Sequence, residues 1–324
     1  EKRLADTVKY LASDELEGRG VGTKGIDLAA EYIESQFSKL GLNTALYDGE
    51  AFQKFRITTS VEMGPKEKNR LVLVGPPEKQ EGPPQQIELE LGKDFNTLAI
   101  GGSRKFDLPL GFVGYGITDT AHHYDDYKDV DVKGKAVLIL RKEPQQNDPH
   151  SVFEGTSNSR HAFFSRKVSN AYEHGAAVVI LVNDDYGNRR QTAASQNDFQ
   201  ELVTKLTEKI LQFKQVETPS AEKIAEHLTE SQELAGQIKD KSHSMAGKAD
   251  KIVEFRGAGD SSGHRSLPVF FCTRVAMDRA VRSVAKTDLA ALERLIDKGP
   301  KPHSRPLAPW RVTGEAHVVS KQVD

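Results

Sequence analysis

LPLGFVGYGI (residues 108–117), YDDYKDVDVKGKAVLIL (124–140) and KVSNAYEHGAAVVILVND (167–184) are the segments whose reading decides the fold. In order they give strand, acidic loop, strand, helix, strand. KAVLIL (135–140) and AAVVILV (176–182) are uninterrupted apolar runs, the pattern of strands buried on both faces. A helix near residues 160–174 lies between them, and Gly175 joins it to the second run.

Working outward towards the N-terminus, Leu4, Val8 and Leu11 fall at helical spacing, and Ser13 with Asp14 ends that pattern. A loop, LEGRGVGTKG (16–25), leads into a second helix whose apolar residues Ile26, Ala29, Ala30, Ile33, Phe37 and Leu40 share one face before Gly41 stops it. FQKFRITTSV (52–61) and RLVLV (70–74) read as strands, and a proline-rich loop (75–86) precedes another strand, IELEL (87–91).

Towards the C-terminus, Phe199, Leu202, Val203, Leu206, Ile210 and Phe213 form a helical stripe. Thr218, Pro219 and Ser220 restart the chain, and a weaker stripe runs through Ile224, Leu228 and Ile238. Residues 196–250 therefore read as a helical hairpin inserted into a sheet domain. KIVEF (251–255) and LPVFF (267–271) read as further strands, a helix covers about 275–296, and the basic, proline-rich KGPKPHSRPLAPW (298–310) reads as a linker before a last strand. The fold class is α+β.

With 324 residues, 45 Lys+Arg against 47 Asp+Glu and 37% hydrophobic residues, the composition is that of an ordinary globular protein whose length favours two domains. A formal net charge of -2 supplies no basic field for a phosphate backbone, so nucleic-acid binding is not expected. No apolar run reaches the roughly 18 residues of a membrane span. The single cysteine, Cys272, forbids an intramolecular disulfide and lies in LPVFFCTRVAM (267–277), where it reads as a buried, inert thiol.

Several patterns resemble chemistry. GxGxxG occurs at Gly20, Gly22 and Gly25 before a helix, but a dinucleotide site needs a buried strand ahead of it and the element here reads as a helix. A structural glycine loop is the reading. GxSxG at Gly259, Ser261 and Gly263 is followed by HRSLPVFF, a proline and a strand where a nucleophile elbow needs a helix, so it reads as a flexible loop. His123 and Asp125 form an HxD pair, and Asp184 and Asp185 could supply a bridging carboxylate to zinc. A two-metal site needs a further histidine, more carboxylates and a Glu to activate water, and the acidic loop 125–134 reads more simply as a solvated connection. His161, His174 and His227 fall on expected helices as surface or capping residues. Alternating charge along 196–250 is the mark of a solvated face, with partner binding as the alternative.

Two stretches resemble known families. LASDELEGRGVGTKGIDLAAEYIESQFSKLGL (11–42) is similar to the N-terminal entry of the di-zinc exopeptidase family that includes bacterial leucyl aminopeptidases, glutamate carboxypeptidase and the transferrin receptor. The match is carried by Asp14, Gly18, Arg19, Gly22, Thr23 and Gly25. GFVGYGI, the YDDY loop with KAVLIL, KVSNAYEHGAAVVILVND and later LPVFF look like a protease-associated (PA) domain, a β-rich module with flanking helices inserted ahead of the zinc-binding body of such enzymes.

The resemblance implies three segments. Residues 1–60 would be entry helices and first strand of an α/β peptidase body, 61–308 a PA domain including the 196–250 insertion, and 309–324 a return strand towards the catalytic domain. It places His123 and Asp125 in the YDDY loop and the family's metal motif beyond Asp324, so no catalytic, cofactor-binding or metal residue is expected in this chain. Two zinc ions are expected in the intact parent enzyme. The implied partners are a downstream peptidase domain of the same polypeptide and the peptide substrate of the intact enzyme, and the 196–250 hairpin is offered as an oligomer contact. Opening at Glu1 inside a helix, without an initiator methionine, reads as the processed start of an exported protein, periplasmic or extracellular, whose leader has been removed. The rival readings are a stand-alone PA binding module and, more distantly, a serine hydrolase using Ser261.

Overall fold

The structure is a computed structural model that describes residues 2–55, 57–77, 81–245, 250–259 and 266–323. Its elements begin α1 (Lys2–Leu11), α2 (Lys24–Lys39), β1 (Ile57–Met63), β2 (Arg70–Gly75), β3 (Gln85–Leu89), β4 (Phe95–Thr97) and β5 (Arg104–Phe112). They continue β6 (Thr118–Asp119), β7 (Tyr124–Asp125), β8 (Ala136–Leu140), α3 (Phe164–Glu173), β9 (Val178–Val182), α4 (Asp185–Lys214) and α5 (Ala221–Met245). The chain ends with β10 (Val269–Cys272), α6 (Arg274–Ala285), α7 (Leu289–Asp297), β11 (Arg305–Ala316) and β12 (Val318–Val323). The fold is mixed α+β, and it divides into two compact units, Glu1–Glu62 with Val319–Asp324, and Met63–Val318.

The larger unit is built on an eight-stranded sheet of order β3-β2-β11-β5-β8-β9-β10-β4. β5, β8, β9 and β10 run parallel, while β3, β2, β11 and β5 pair antiparallel and β4 closes the far edge antiparallel to β10. β8 and β9 are buried at every position because helices cover the centre of the sheet on both sides. Alternation splits the core. Leu138, Leu140, Ile180, Val182, Phe270 and Cys272 join Met277, Val281, Leu292 and Ile296 of α6 and α7 on one face. Val137, Ile139, Val179, Leu181 and Phe271 join Val168 and Ala171 of α3 on the other.

The smaller unit holds α1, α2 and the β1–β12 pair. Tyr10 and Tyr32 bring α1 and α2 together with ring centroids 4.5 Å apart. Between the helices, Asp14–Arg19 forms a short 3-10 turn.

Several elements differ from the sequence reading. KIVEF is not a strand: Val253 and Phe255 accept single bonds from Asn96 Nδ2 (2.9 Å) and the Ala99 amide (2.7 Å), because β4 already occupies the edge of β10. The helix expected at 275–296 is two helices. Lys286 turns left-handed (φ 56°), and Asp288 caps α7 by accepting from the Ala291 amide at 2.8 Å. The linker expected at 298–310 gives way at Arg305 to β11, which accommodates its prolines through a shift in register between Pro306 and Arg311. Residues 309–324 therefore divide between β11, in the middle of the large sheet, and β12, which pairs with β1. The strand expected over 52–61 starts at Ile57. The hairpin begins earlier than residue 196, at Asp185, because Asp184 caps α4 through the Gly187 amide (2.6 Å).

Candidate functional site

The carboxyl ends of the parallel strands gather the buried charges of the larger unit, as the open edge of such a sheet does in α/β proteins. After β5 the chain turns through Gly114, Tyr115 and Gly116, with φ of 44° and 66° at the two glycines. A Cβ on Gly114 would sit 2.4 Å from Asp126 Oδ1, and one on Gly116 would sit 2.9 Å from Ile139. The turn needs glycine for both conformation and space. Asp126 holds it: Oδ2 accepts from the amides of Tyr115 (3.1 Å) and Ile117 (3.0 Å), and Oδ1 accepts from Tyr124 Oη (2.9 Å). The acidic loop is thus not wholly solvated, since Asp126 is fully buried.

Lys167 completes this clasp from α3. Its ammonium donates to the Tyr115 carbonyl and lies 5.7 Å from the Tyr115 ring centroid. Asn170, one turn on, donates to the Gly116 carbonyl at 2.9 Å. Burial pushes Asp126 up to about 7, against the pull of its amide and phenol donors and of Lys167. Burial likewise pushes Lys167 down to about 7, opposed by Asp126, Glu143 and Asp184. Glu143, also raised by burial, follows β8 and accepts from the Ser159 amide (2.8 Å) and hydroxyl, tying down the loop 144–159.

A second cluster surrounds Asp119 in β6. His122 Nδ1 lies 2.7 Å and His161 Nε2 3.4 Å from Asp119 Oδ2. His161 is buried edge-on against Phe153, and is neither a surface nor a helix-capping residue. Burial lowers its pKa against the attraction of Asp119. Burial alone would raise Asp119, but hydrogen bonds from His122 and the Ala121 amide, with the charges of both histidines, bring it below the ordinary range.

A third cluster lies beyond β9 and β10. Arg274 Nη1 donates to Glu293 Oε2 (2.8 Å) and to the Asn183 carbonyl (2.5 Å), and the Arg274 amide donates to Asp250. Asn183 Nδ2 also donates to Asp250 Oδ1 (3.1 Å). Glu293 accepts from the Asp185 amide at 2.6 Å and is raised by burial to about 7, with Arg274 opposing and Asp184 adding to the rise. These three clusters position loops: the charged groups named in them bond within the unit.

The HxD pair does not assemble into a metal centre. His123 sits in a left-handed turn (φ 53°) between β6 and β7, and Asp125 accepts from Thr118 Oγ1 and the Tyr127 amide, both at 3.0 Å. Asp184 is the α4 cap, and Asp185 pairs with Arg189 at 3.0 Å. Among the described residues no three His, Cys, Asp or Glu side chains come together to hold a metal ion. Ser261 and Gly263 of the GxSxG pattern lie outside the described residues. Cys272 is fully buried, and burial raises its thiol well above the usual range. His174 caps α3 and stacks on Tyr127 with centroids 4.1 Å apart, while His227 stacks on Phe213 at 4.0 Å. Among the described residues no helix is long and apolar enough to cross a membrane.

In the smaller unit two glycines of the GxGxxG pattern, Gly22 and Gly25, serve backbone geometry. Gly22 has φ 76°, and a Cβ on Gly25 would fall 1.8 Å from the Leu16 carbonyl oxygen, so α2 can meet the 3-10 turn only with glycine there. The element ahead of the loop is that turn and not a buried strand, which leaves the dinucleotide geometry unmet.

Lys167, Arg274 and Glu293 are not singled out in the sequence reading, and Asp126 enters it only as part of a loop read as solvated. One signal was available: Lys167 stands among Phe164, Val168 and Ala171 on the inward stripe of α3, where a lysine needs a buried partner.

No curated protein matches the chain. Residues 107–208 match the family model of the PA domain, a span that begins in β5, contains the Asp126–Lys167 clasp and the Asp119 cluster, and ends within α4. The region from Asp107 to Glu208 is a PA domain.

Proposed function

We propose that this chain is the non-catalytic, protease-associated region of an exported zinc-dependent aminopeptidase, bordering the substrate cleft of the intact enzyme. The observation that carries the reading beyond the PA domain is the state of the smaller unit. Its loop from Asp14 to Gly25 carries the exopeptidase-like motif, yet the helices on either side are scarcely buried. Leu4, Val8, Phe37 and Leu40 are 69%, 57%, 48% and 56% exposed. A unit of this size needs a substantial core to fold alone, and among the described residues the buried apolar side chains here are Leu16, Ala29 and Val61. On this reading the exposed stripe packs on a downstream peptidase domain of the same polypeptide, which also holds the two zinc ions and receives the peptide substrate.

The test is to read the coding sequence past Asp324 and express the longer polypeptide. An HxD closing a buried strand, followed by Asp, Glu-Glu, Asp and His, with zinc-dependent turnover of aminoacyl p-nitroanilides, is the expected result. A stop codon at that point would return the chain to a stand-alone PA binding module.

A further inference from the structure

The α4–α5 hairpin has two unlike faces. Asp198–Lys241 (2.6 Å) and Lys209–Glu230 bridge the helices across one of them, and Glu201–Lys205 (2.6 Å) reinforces α4 on the same side. At 3.6 residues per turn, the opposite flank of α4 carries Gln196, Gln200, Val203, Thr207, Ile210 and Leu211, with no charged residue on that flank between Arg189 and Lys214. The matching flank of α5 carries Ala225, Leu228, Gln232, Ala235 and Gly236, uncharged as far as Lys239. Because the cross-helix ion pairs fix which sides correspond, the two uncharged flanks form one continuous face.

This face is exposed and apolar in part: Ile210, Leu211 and Leu228 are 40%, 53% and 54% exposed. Among the described residues none in α4 is buried, over 30 residues of helix. Val203 and Ile210 widen the apolar stripe of α4 beyond the seam it shares with α5, as in a helix that packs against more than one neighbour.

We infer that this uncharged face is a self-association surface, on which the hairpins of two copies of this chain stack into a four-helix bundle. Three features select a second copy as the occupant. An isologous contact sets a surface against itself, and a face without charge has no like charges to oppose. Charge depletion is also the compositional mark of an interface core. Two helices about 10 Å apart and sharing about 30 Å of length present about 600–800 Å² per copy, close to the roughly 800 Å² per partner of a stable interface; the uncharged stretches, about 24 Å of α4 and about 18 Å of α5 at about 1.5 Å per residue, form its core, and the charged residues beyond them its rim. A membrane is the poorer fit, since an interfacial helix carries a lysine- and arginine-rich polar face and the charged face here is mixed in sign. The inference does not depend on the peptidase reading.

Sedimentation velocity and multi-angle light scattering on the full chain test it. The expected species at tens of micromolar has twice the 35.8 kDa chain mass. Ile210→Glu with Leu228→Lys should weaken the dimer at least 100-fold with helical circular dichroism unchanged. Gln200→Lys, which replaces an already polar residue, should weaken it at least 10-fold even if the first variant loses helicity. Glu208→Gln, on the charged face, should leave it intact. A wild-type monomer at 100 μM, or a dimer indifferent to both face variants, would overturn the inference.

Discussion

Asp126 Oδ2 accepts a hydrogen bond from the Tyr115 amide at 3.1 Å across eleven residues of chain, and the same oxygen takes the Ile117 amide at 3.0 Å. One carboxylate thereby replaces the strand partner that the chain loses where β5 ends. It can do so because Gly114 leaves no side chain between them. The GYG turn and the YDDY loop of this sequence meet in this contact.

Asp126→Ala would orphan two buried amides and the Tyr124 hydroxyl, and leave Lys167 without its strongest opposing charge. At about 1–3 kcal/mol for an unsatisfied buried group, a combined loss of about 3–5 kcal/mol is expected in urea unfolding. Asp126→Asn keeps an acceptor and should lose less. A loss under about 1 kcal/mol for the alanine variant would show that the clasp does not organise the turn.

Removing Glu293 should cost about 3–5 kcal/mol, because Arg274 is left charged and buried. The double variant Arg274→Met/Glu293→Leu should recover part of that loss, and a double-mutant cycle with no coupling would contradict it.

The pair also predicts a pH dependence. Glu293 titrates at about 7 when folded and near 4.3 when unfolded, so between those values the folded state binds more protons. Its contribution to stability therefore falls as pH rises through that window, by an amount on the order of 2–3 kcal/mol. The double variant, lacking the carboxyl, should gain on the wild type between pH 5 and pH 8 in parallel urea melts.

His161 has the opposite sign. Its folded pKa is lowered, so the unfolded state binds the extra proton and stability is lost as pH falls below about 6.5. Subtracting the melts of His161→Gln from those of the wild type isolates the effect. An identical slope in the two proteins below pH 6.5 would remove His161 as its source.

Replacing residues 192–247 by a short Gly/Ser linker should leave the sheet domain cooperatively folded, since Asn188 and Asp250, 3.3 Å apart through Asn188 Nδ2 and Asp250 Oδ1, already close the base of the hairpin. Loop-length changes cost only about 0.6 kcal/mol per doubling. Broadened, non-cooperative unfolding would mean that the helices support the sheet.

Gly25→Ala should open the smaller unit without disturbing the larger one, because the methyl group would meet backbone at Leu16. Faster amide exchange confined to residues 11–42 is the expected signature. Titration of the wild type with NAD should give no saturable signal, and micromolar affinity would reinstate a nucleotide role for the glycine loop.

Local chemistry by itself determined a good part of this protein. The apolar runs of β8 and β9 and the stripe of α2 follow from spacing within a few residues, the hairpin was legible apart from the first eleven residues of α4, and the motifs from 108 to 184 were enough to point to a PA domain. Tertiary structure decided what depends on distant neighbours. It set β11 in the middle of a sheet where the prolines of 298–310 suggested a linker, and it gave the edge beside β10 to β4 in place of KIVEF. It also buried Asp126 with Lys167, 41 positions away, and Arg274 against Asn183, 91 positions away. Hydrophobic periodicity is a property of consecutive residues. Whether a charge can be buried is set by partners that only the folded chain brings within reach, and a residue-by-residue reading of Asp126 as a solvated loop acid had no access to them.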